Sequence, residues 1–187
     1  MPYPHSLHTS ERSLPDGVTL NPRHGKQLVE VIFLKPEIMH DIEASIRQIE
    51  KSRPADAPAL LAAGGTDDYL LCRYIDTAIN QAVSRCQAYL LLPSPYVQRI
   101  STDHVSGWEE KSIFLALPHN WPPHCINPLR DAVHSFIVMR AMQLFLSFAD
   151  EKAAAVCDAQ AYSFWNDINT ALNTRLGPTH IHPTFLG

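Results

Sequence analysis

The chain has 187 residues, of which 45% are hydrophobic and 18% are charged, and its formal net charge is −4. This length is sufficient for one domain with a hydrophobic core, and the hydrophobic fraction excludes a wholly disordered chain. No segment of the chain is basic, so sequence-specific nucleic-acid binding is not expected. The charged fraction is below the roughly 25% of an ordinary soluble domain. It fits either a surface that contacts other protein, because interface cores are depleted of charge, or an accident of composition.

The N-terminal segment, residues 1–25, contains four prolines and little apolar periodicity, which predicts an extended arm outside the core. Its scattered apolar residues are Tyr3, Leu7, Leu14, Val18 and Leu20. Such an arm gains burial when it lies across a neighbouring subunit, whereas the alternative is a frayed terminus without a partner. The segment has no apolar signal-peptide core, so secretion is not expected.

The first helix is predicted to begin near Lys35, because Pro36 suits the first helical turn, where its missing N–H costs nothing. Its apolar stripe at helical spacing consists of Ile38, Ile42, Ile46 and Ile49. A Pro-, Ala- and Gly-rich connector follows over residues 52–66. The second helix is predicted over 67–89, where two adjacent apolar rows indicate a broad buried face. These rows are Leu71, Ile75, Ile79 and Val83, and Tyr74, Ala78, Ala82 and Cys86.

The apolar period changes between residues 93 and 123, which predicts a β-hairpin inserted between the second and third helices. Its strands are expected at 96–105 and 108–117, with a turn at Ser106-Gly107. One face of the second strand carries Ile113, Leu115 and Leu117. Prolines 118, 122 and 123 then end the regular structure.

The last two helices are predicted over 128–149 and 150–176. Asn127 is expected to be the N-cap of the third helix, with Pro128 at its first position, and Asp150 the N-cap of the fourth. Their apolar positions are Leu129, Val133, Phe136, Ile137, Leu144 and Phe148, and Val156, Cys157, Phe164, Ile168 and Leu172. Gly177-Pro178 ends the fourth helix, and residues 177–187 form a C-terminal arm. The predicted fold is therefore mainly α, a four-helix domain over 26–176 with one inserted hairpin and two extended arms.

Cysteine spacing and hydropathy predict a soluble protein of a reducing, intracellular compartment. The chain has no CxxC pair, and its cysteines are interpreted as small apolar side chains, buried where they fall inside helices. They are Cys72, Cys86, Cys125 and Cys157. The most hydrophobic window, residues 132–149, carries His134, Arg140 and Gln143, which makes it too polar for an unassisted membrane span.

Histidine spacing offers three candidate metal sites, and none is complete. Glu37 and His40 have the Glu-x-x-His spacing of di-iron helical bundles, but the chain lacks a second copy, so a surface pair is the favoured interpretation. A zinc site in the proline-rich loop would lack the fourth ligand that structural zinc requires. Its candidate ligands are His119, His124 and Cys125. His180 and His182 alternate on the C-terminal arm, which cannot preorganise a site alone.

Nucleophilic catalysis is not indicated either, because the chain has no G-x-S-x-G elbow and no glycine-rich phosphate loop. Ser101, Asp103 and His104 are triad residue types, but successive side chains of one strand face opposite sides, so Asp103 cannot readily orient His104 toward Ser101. His134 is interpreted as a buried helix residue with a hydrogen-bond partner. Trp108, Trp121 and Trp165 are interpreted as packing anchors. No catalytic, cofactor-binding or metal-binding residue is assigned, and we expect no enzymatic activity and no cofactor.

The final helical pair, from Pro128 to Leu176, resembles the closing helices of head–tail connector, or adaptor, proteins of tailed phages. The version in this chain is similar to those in prophages of Bacteroides-type bacteria. Its features are an apolar helix that breaks at Asp150-Glu151, a resumption with alanines and an end near Arg175. Upstream, the helices at 36–51 and 67–89 and the strand ending at Leu117-Pro118 occur in a similar order. The resemblance covers about residues 30–176 as a pattern of elements.

The resemblance implies a virion structural protein that forms a ring of identical subunits in the neck, between the portal and the tail. The implied partners are other copies of the chain and the portal and tail proteins, first in the host cytoplasm and then in the virion. It carries over no catalytic residue. The alternative is a small helical metal-binding protein or enzyme that uses His40, or His119 with His124. A helical regulatory module that binds a host protein is a third reading.

Overall fold

The computed structural model describes residues 18–21, 26–54, 59–60, 66–90, 98–99 and 110–177. These residues form four α-helices and a four-stranded antiparallel sheet. The elements are β1 (Val18–Asn21), β2 (Lys26–Leu34), α1 (Lys35–Ser52), α2 (Thr66–Arg85), β3 (Gln98–Arg99), β4 (Glu110–Pro118), α3 (Ile126–Leu146) and α4 (Glu151–Asn173). Short 3-10 helices occur at Gln87–Tyr89 and Pro123–Cys125. The mainly helical prediction is confirmed, including an antiparallel strand pair between α2 and α3.

The sheet has the strand order β1-β2-β4-β3, so the long strands β2 and β4 form its centre. They pair along their full length, from Lys26 opposite Pro118 to Leu34 opposite Glu110. One face of this pair is buried against the helices, and its apolar side chains are Val29, Val31, Phe33, Ile113, Leu115 and Leu117. The predicted shared face of the second hairpin strand is therefore confirmed.

The two strands that precede α1 were not predicted from the sequence. The segment Val18–Asn21 of the predicted N-terminal arm is strand β1, which pairs with Lys26–Val29 of β2. The predicted hairpin corresponds to β3 and β4, which form one side of a larger sheet. The longer partner of β4 is β2, which pairs with it along nine residues. Residues 1–17 and 22–25 of the arm lie outside the described residues.

Helix α3 is the centre of the helical layer and packs against α1, α2, α4 and strand β2. It is buried on several sides, so its apolar residues do not form a single stripe. Helix α1 begins at Lys35 with Pro36 in its first turn, as predicted, and buries Ile38, Ile42 and Ile46. Helix α4 ends at Asn173, three residues before the predicted end, because the chain becomes extended at Thr174. Beyond it, the N–H of Leu176 donates to the carbonyl of Asn120 at 2.7 Å, which ties the segment after α4 to the turn after β4.

The ends of the last two helices differ from the prediction at the start of α3 and agree at the start of α4. Helix α3 begins at Ile126, directly after a 3-10 helix, so Asn127 is not its N-cap and Pro128 not its first residue. It ends at Leu146, and Phe148 in the following turn is 93% exposed rather than buried. The Asp150 carboxylate accepts from the N–H of Ala153 at 3.0 Å, which confirms the predicted cap.

All four cysteines are free thiols, and Cys72, Cys86 and Cys157 are buried whereas Cys125 is half-buried. This agrees with their interpretation as small apolar side chains. Among the described helices, none combines the length and the apolar character that crossing a membrane requires.

Thiol reactivity should follow this burial. Burial raises the pKa of Cys86 from 9.0 to about 11 and also raises the pKa of Cys157. Because the thiolate is the reactive form, iodoacetamide at pH 8 should modify Cys125 well before Cys86. Peptide mass spectrometry with and without denaturant measures the order, and rapid labelling of Cys86 in the folded protein would contradict it.

Between about pH 9 and pH 11 the Cys86 thiol ionises in the unfolded chain but not in the folded one, so the free energy of unfolding should fall as the pH rises through this range.

Candidate functional site

A pocket of about 630 Å³ lies beside the start of α1, and we call it the edge pocket. Its lining residues are Ile32, Pro36, Glu37, His40, Asp41, Arg130, Asp131 and His134. The 41% exposed Ile32 alternates with the inward-facing Val31 and Phe33, so its side chain lies on the outer face of the sheet. The other lining residues belong to the helical layer. A pocket that reaches both layers lies at an edge of β2, and β4 covers the opposite edge.

Helix spacing explains why these polar side chains face one another. Glu37, His40 and Asp41 follow at three- and four-residue steps on α1, and such positions share a helix face. Arg130 and His134 are four residues apart on α3. Because α1 packs against α3, the two polar faces meet at the rim of the interface.

Two hydrogen bonds define the geometry of the edge pocket. His134 Nε2 lies 2.8 Å from Asp41 Oδ2, with side-chain exposures of 32% and 52%. The Arg130 guanidinium donates through Nε and Nη2 to the carbonyl of Glu30, at 3.3 and 3.0 Å. The imidazole–carboxylate pair is partly solvated and contributes little to stability. Arg130, in contrast, satisfies the backbone carbonyl of Glu30 in β2.

The edge pocket offers acid–base groups, among them Asp41 and His134. An imidazole held by a carboxylate can serve as a general base toward water, a substrate or a neighbouring side chain. The residues that line the pocket include no serine, threonine, cysteine or tyrosine. Glu37 and His40 are both exposed there, and the described residues contain no group of three His, Cys, Asp or Glu side chains that could hold a metal ion.

The other predicted candidates are not brought together. His119 is exposed, and its carbonyl accepts from Gln27 Nε2 at 2.7 Å. His124 is exposed on the 3-10 helix, and Cys125 lines a different groove, between α3 and α4. Several candidate residues lie outside the described residues: Ser101, Asp103, His104, Trp108, His180 and His182.

The structure corrects the predicted burial of His134 and confirms the predicted packing of the two described tryptophans. His134 has its predicted hydrogen-bond partner, Asp41, but it is half-exposed rather than buried. Trp121 is fully buried, and the Trp165 ring centroid is 6.5 Å from that of Phe136, so both tryptophans pack in the core as predicted.

A second groove, of about 970 Å³, runs between α1 and α4 with α3 beneath it. Ile49, Met139 and Met142 contribute apolar lining. An ion pair between Arg53 Nε and Asp150 Oδ2, at 3.8 Å, lies at one end. Such a lining suits apolar side chains of a partner and contains no imidazole.

The exposed side of α4 is short of charge between Ala155 and Asn166. We define the outer α4 face as the exposed, uncharged residues Ala155, Val156, Ala159, Gln160, Tyr162, Ser163 and Asn166. Val156, which was predicted to be buried, is 58% exposed, and Tyr162 is 65% exposed. Asp158 is the charged exposed residue within this span, and it forms an ion pair with Arg140 of α3.

Comparison of the chain with protein-family models, with curated proteins and with solved structures found no match. The function is therefore argued from the residues and the geometry of the chain itself.

Sequence reasoning missed the contact that organises the edge pocket. Asp41 and His134 are 93 residues apart, and neither belongs to a local motif. A weaker signal existed for the strand beside them, because residues 28–34 (LVEVIFL) form a short apolar run rich in β-branched residues, which strands favour.

Proposed function

We propose that this chain is a structural assembly protein, and specifically a ring-forming head–tail connector component of a tailed phage or prophage. The general part of the proposal rests on the surface of α4. The specific part rests on the resemblance of residues 30–176 to the connector proteins. The proposed partners are neighbouring copies of the chain and the portal and tail proteins, in the host cytoplasm and then in the virion.

The observation that carries the proposal is the outer α4 face together with the neighbouring Phe148. Single exposed apolar residues are ordinary, but here Phe148, Val156 and Tyr162 are 93%, 58% and 65% exposed on one helix and the turn before it. Exposed apolar area with little charge is typical of a surface that another protein covers. Tyrosine is also enriched among the residues that dominate binding energy.

The outer α4 face is held rigidly, which favours binding because less motion is lost on association. Arg140 of α3 donates to Gln81 of α2 at 2.7 Å and pairs with Asp158 of α4. Among the described helices, α4 also makes its most extensive contact with α3. The face is therefore presented as a fixed surface rather than as a mobile arm.

Replacing Tyr162 with arginine should weaken self-association by about tenfold or more, which corresponds to about 1.4 kcal/mol or more. The charge would enter an interface core and lose its water there. Sedimentation velocity measures the assembly state, and negative-stain electron microscopy shows whether the particles are rings. Asn80→Arg, an exposed change on α2, is the matched control and should assemble as the natural chain does.

Thermal melting separates assembly from folding, because Tyr162 is exposed and its replacement should leave the melting temperature of the subunit nearly unchanged. A natural chain that remains monomeric at high concentration, and binds neither a portal ring nor a tail ring, would disprove the connector proposal. If Tyr162→Arg and Asn80→Arg assemble equally well, α4 is not part of the interface.

A further inference from the structure

Strand β2 has an open edge beside the edge pocket. All nine of its residues pair with β4, but only Lys26–Val29 pair with β1. On the β1 side, Glu30–Leu34 therefore has no strand partner among the described residues. The carbonyl of Glu30 is satisfied by Arg130, and backbone groups two residues apart face the same edge, so Ile32 presents its N–H and C=O there. Such an edge accepts an added strand.

The preceding residues of the same chain are poorly suited to fill this edge. Val18 pairs with Val29, so continuing β1 in register would place Pro15 opposite Ile32. Proline has no N–H to donate to the Ile32 carbonyl, and it is excluded from paired positions of a sheet for that reason. A proline opposite Ile32 would therefore leave the Ile32 carbonyl without a ladder partner.

We infer that this open edge and the edge pocket receive the C-terminal segment, residues 178–187, of a second copy of the chain. The segment reads PTHIHPTFLG, and its alternating stretch 179–182 is bounded by Pro178 and Pro183. The prolines limit an added strand to about the length of Glu30–Leu34. Thr179 and Ile181 are β-branched residues, which favour strands.

The side chains of the segment complement those of the pocket. Residues 180 and 182 are histidines, and alternate residues of an added strand face the same side. The helical side of the pocket carries the carboxylates of Glu37, Asp41 and Asp131. A neutral or a charged imidazole donates an N–H to a carboxylate, so His180 and His182 would find acceptors there. Glu37 and Asp131 are exposed, which leaves them accessible to an incoming strand.

The geometry favours a neighbouring copy over the segment's own domain. Leu176 is tied to Asn120, just beyond Pro118, and Pro118 pairs with Lys26 at the far end of β2. From Lys26 to Ile32 is about 20 Å along the strand. Residues 177–180 span at most about 14 Å, and β1 occupies the intervening edge. A strand supplied by the next subunit meets neither obstacle.

This inference deepens the proposed function and rests on it in one respect: exchange of C-terminal segments would link each subunit to the next. The contact joins two different surfaces, and such a contact gives a closed ring when the rotation between subunits closes and an open filament when it does not. The docking site itself can be tested without rings.

The first test uses a fluorescein-labelled synthetic peptide of residues 178–187 and the full chain lacking those residues. Fluorescence anisotropy should show saturable binding. A peptide with Ile181→Pro should bind about tenfold more weakly or worse, because it loses a ladder N–H. Glu37→Lys with Asp131→Lys in the protein should weaken binding comparably, whereas the control pair Glu151→Lys with Asp167→Lys changes the charge equally on α4 and should have little effect.

The second test maps the contact by disulfide trapping between copies. One copy carries Ile32→Cys, the other carries cysteine at 179, 180, 181 or 182, and both carry Cys125→Ser. A strand predicts cross-links at alternate positions only, because successive side chains face opposite sides. Equal cross-linking at all four positions, or none at any, would overturn the inference.

The outcomes separate this inference from the proposed function. Rings that form normally without residues 178–187, together with a peptide that does not bind, would refute the docking site and leave the connector proposal standing. A peptide that binds as described, in a chain that forms no rings, would support the docking site and count against the ring. When Ile32→Cys and the cysteine at 181 are placed in the same chain, cross-links within that copy that do not depend on protein concentration would show that the segment serves its own domain and would refute exchange.

Discussion

Replacing Trp121 with alanine should lower the free energy of unfolding by about 3–5 kcal/mol, as large-to-small changes in cores do. Trp121 is fully buried, and its indole N–H donates to the carbonyl of Ala171 at 2.8 Å. Its own carbonyl accepts from Gln27 Nε2 at 2.7 Å. The side chain therefore connects the turn after β4 to α4, and the backbone connects that turn to β2. Alanine would leave a cavity and an unpaired carbonyl at this junction.

Urea denaturation at 25 °C measures the Trp121→Ala effect, and an unchanged slope with urea would show that the unfolding transition is otherwise the same. Trp121→Phe is the matched control, since it keeps much of the buried area and removes the indole donor. We expect it to cost about 1–2 kcal/mol. If alanine costs no more than phenylalanine, Trp121 is not the packing anchor that its burial indicates. Domains of this kind are stable by about 5–15 kcal/mol, so the alanine effect is a large share.

Replacing Phe136 with alanine should cost about 3–5 kcal/mol at the centre of the helical layer. The Phe136 ring is 1% exposed and lies 6.5 Å from the Trp165 ring at an angle of 59°. The Arg85 guanidinium of α2 lies 5.2 Å from the Phe136 centroid and 5.0 Å from that of Trp165. One side chain of α3 thus contacts α2 and α4, and its removal weakens both contacts at once.

Phe136→Leu is the control, because it keeps most of the volume and loses the aromatic contacts, and it should cost about 1–1.5 kcal/mol. Adding Arg85→Ala to each background then measures the cation–π contact. The two changes should couple by about 0.5–1 kcal/mol in a double-mutant cycle followed by urea denaturation. Simple additivity would show that Arg85 stabilises the helices through Trp165 or not at all.

The sequence determined the helices because their signals are local. Ile38, Ile42 and Ile46 recur at four-residue steps, and all three are buried on one face of α1. Asp150 caps α4 through its own side chain, three residues from its partner Ala153. Such patterns depend on residues within one or two helical turns, so they can be read without knowledge of the tertiary structure.

Helix ends and strand partners were less accessible, because tertiary contacts decide them. The apolar spacing continues through Leu144 to Phe148, yet α3 stops at Leu146 and the chain turns so that α4 packs back against it. Val18–Asn21 looked like part of an arm because proline content dominates its surroundings. It forms a strand because β2, a distant partner that local sequence patterns do not reveal, offers it a hydrogen-bonding edge on the side away from β4.

By itself the sequence determined a mainly α-helical domain, its four helices and an inward-facing strand at residues 113–117. Only the tertiary structure decided that Asp41 meets His134, that Arg130 occupies the Glu30 carbonyl, and that β2 keeps an open edge beside them. The reason is physical. Helical periodicity is set by near neighbours, whereas a pocket rim and a sheet edge depend on which distant segments pack together.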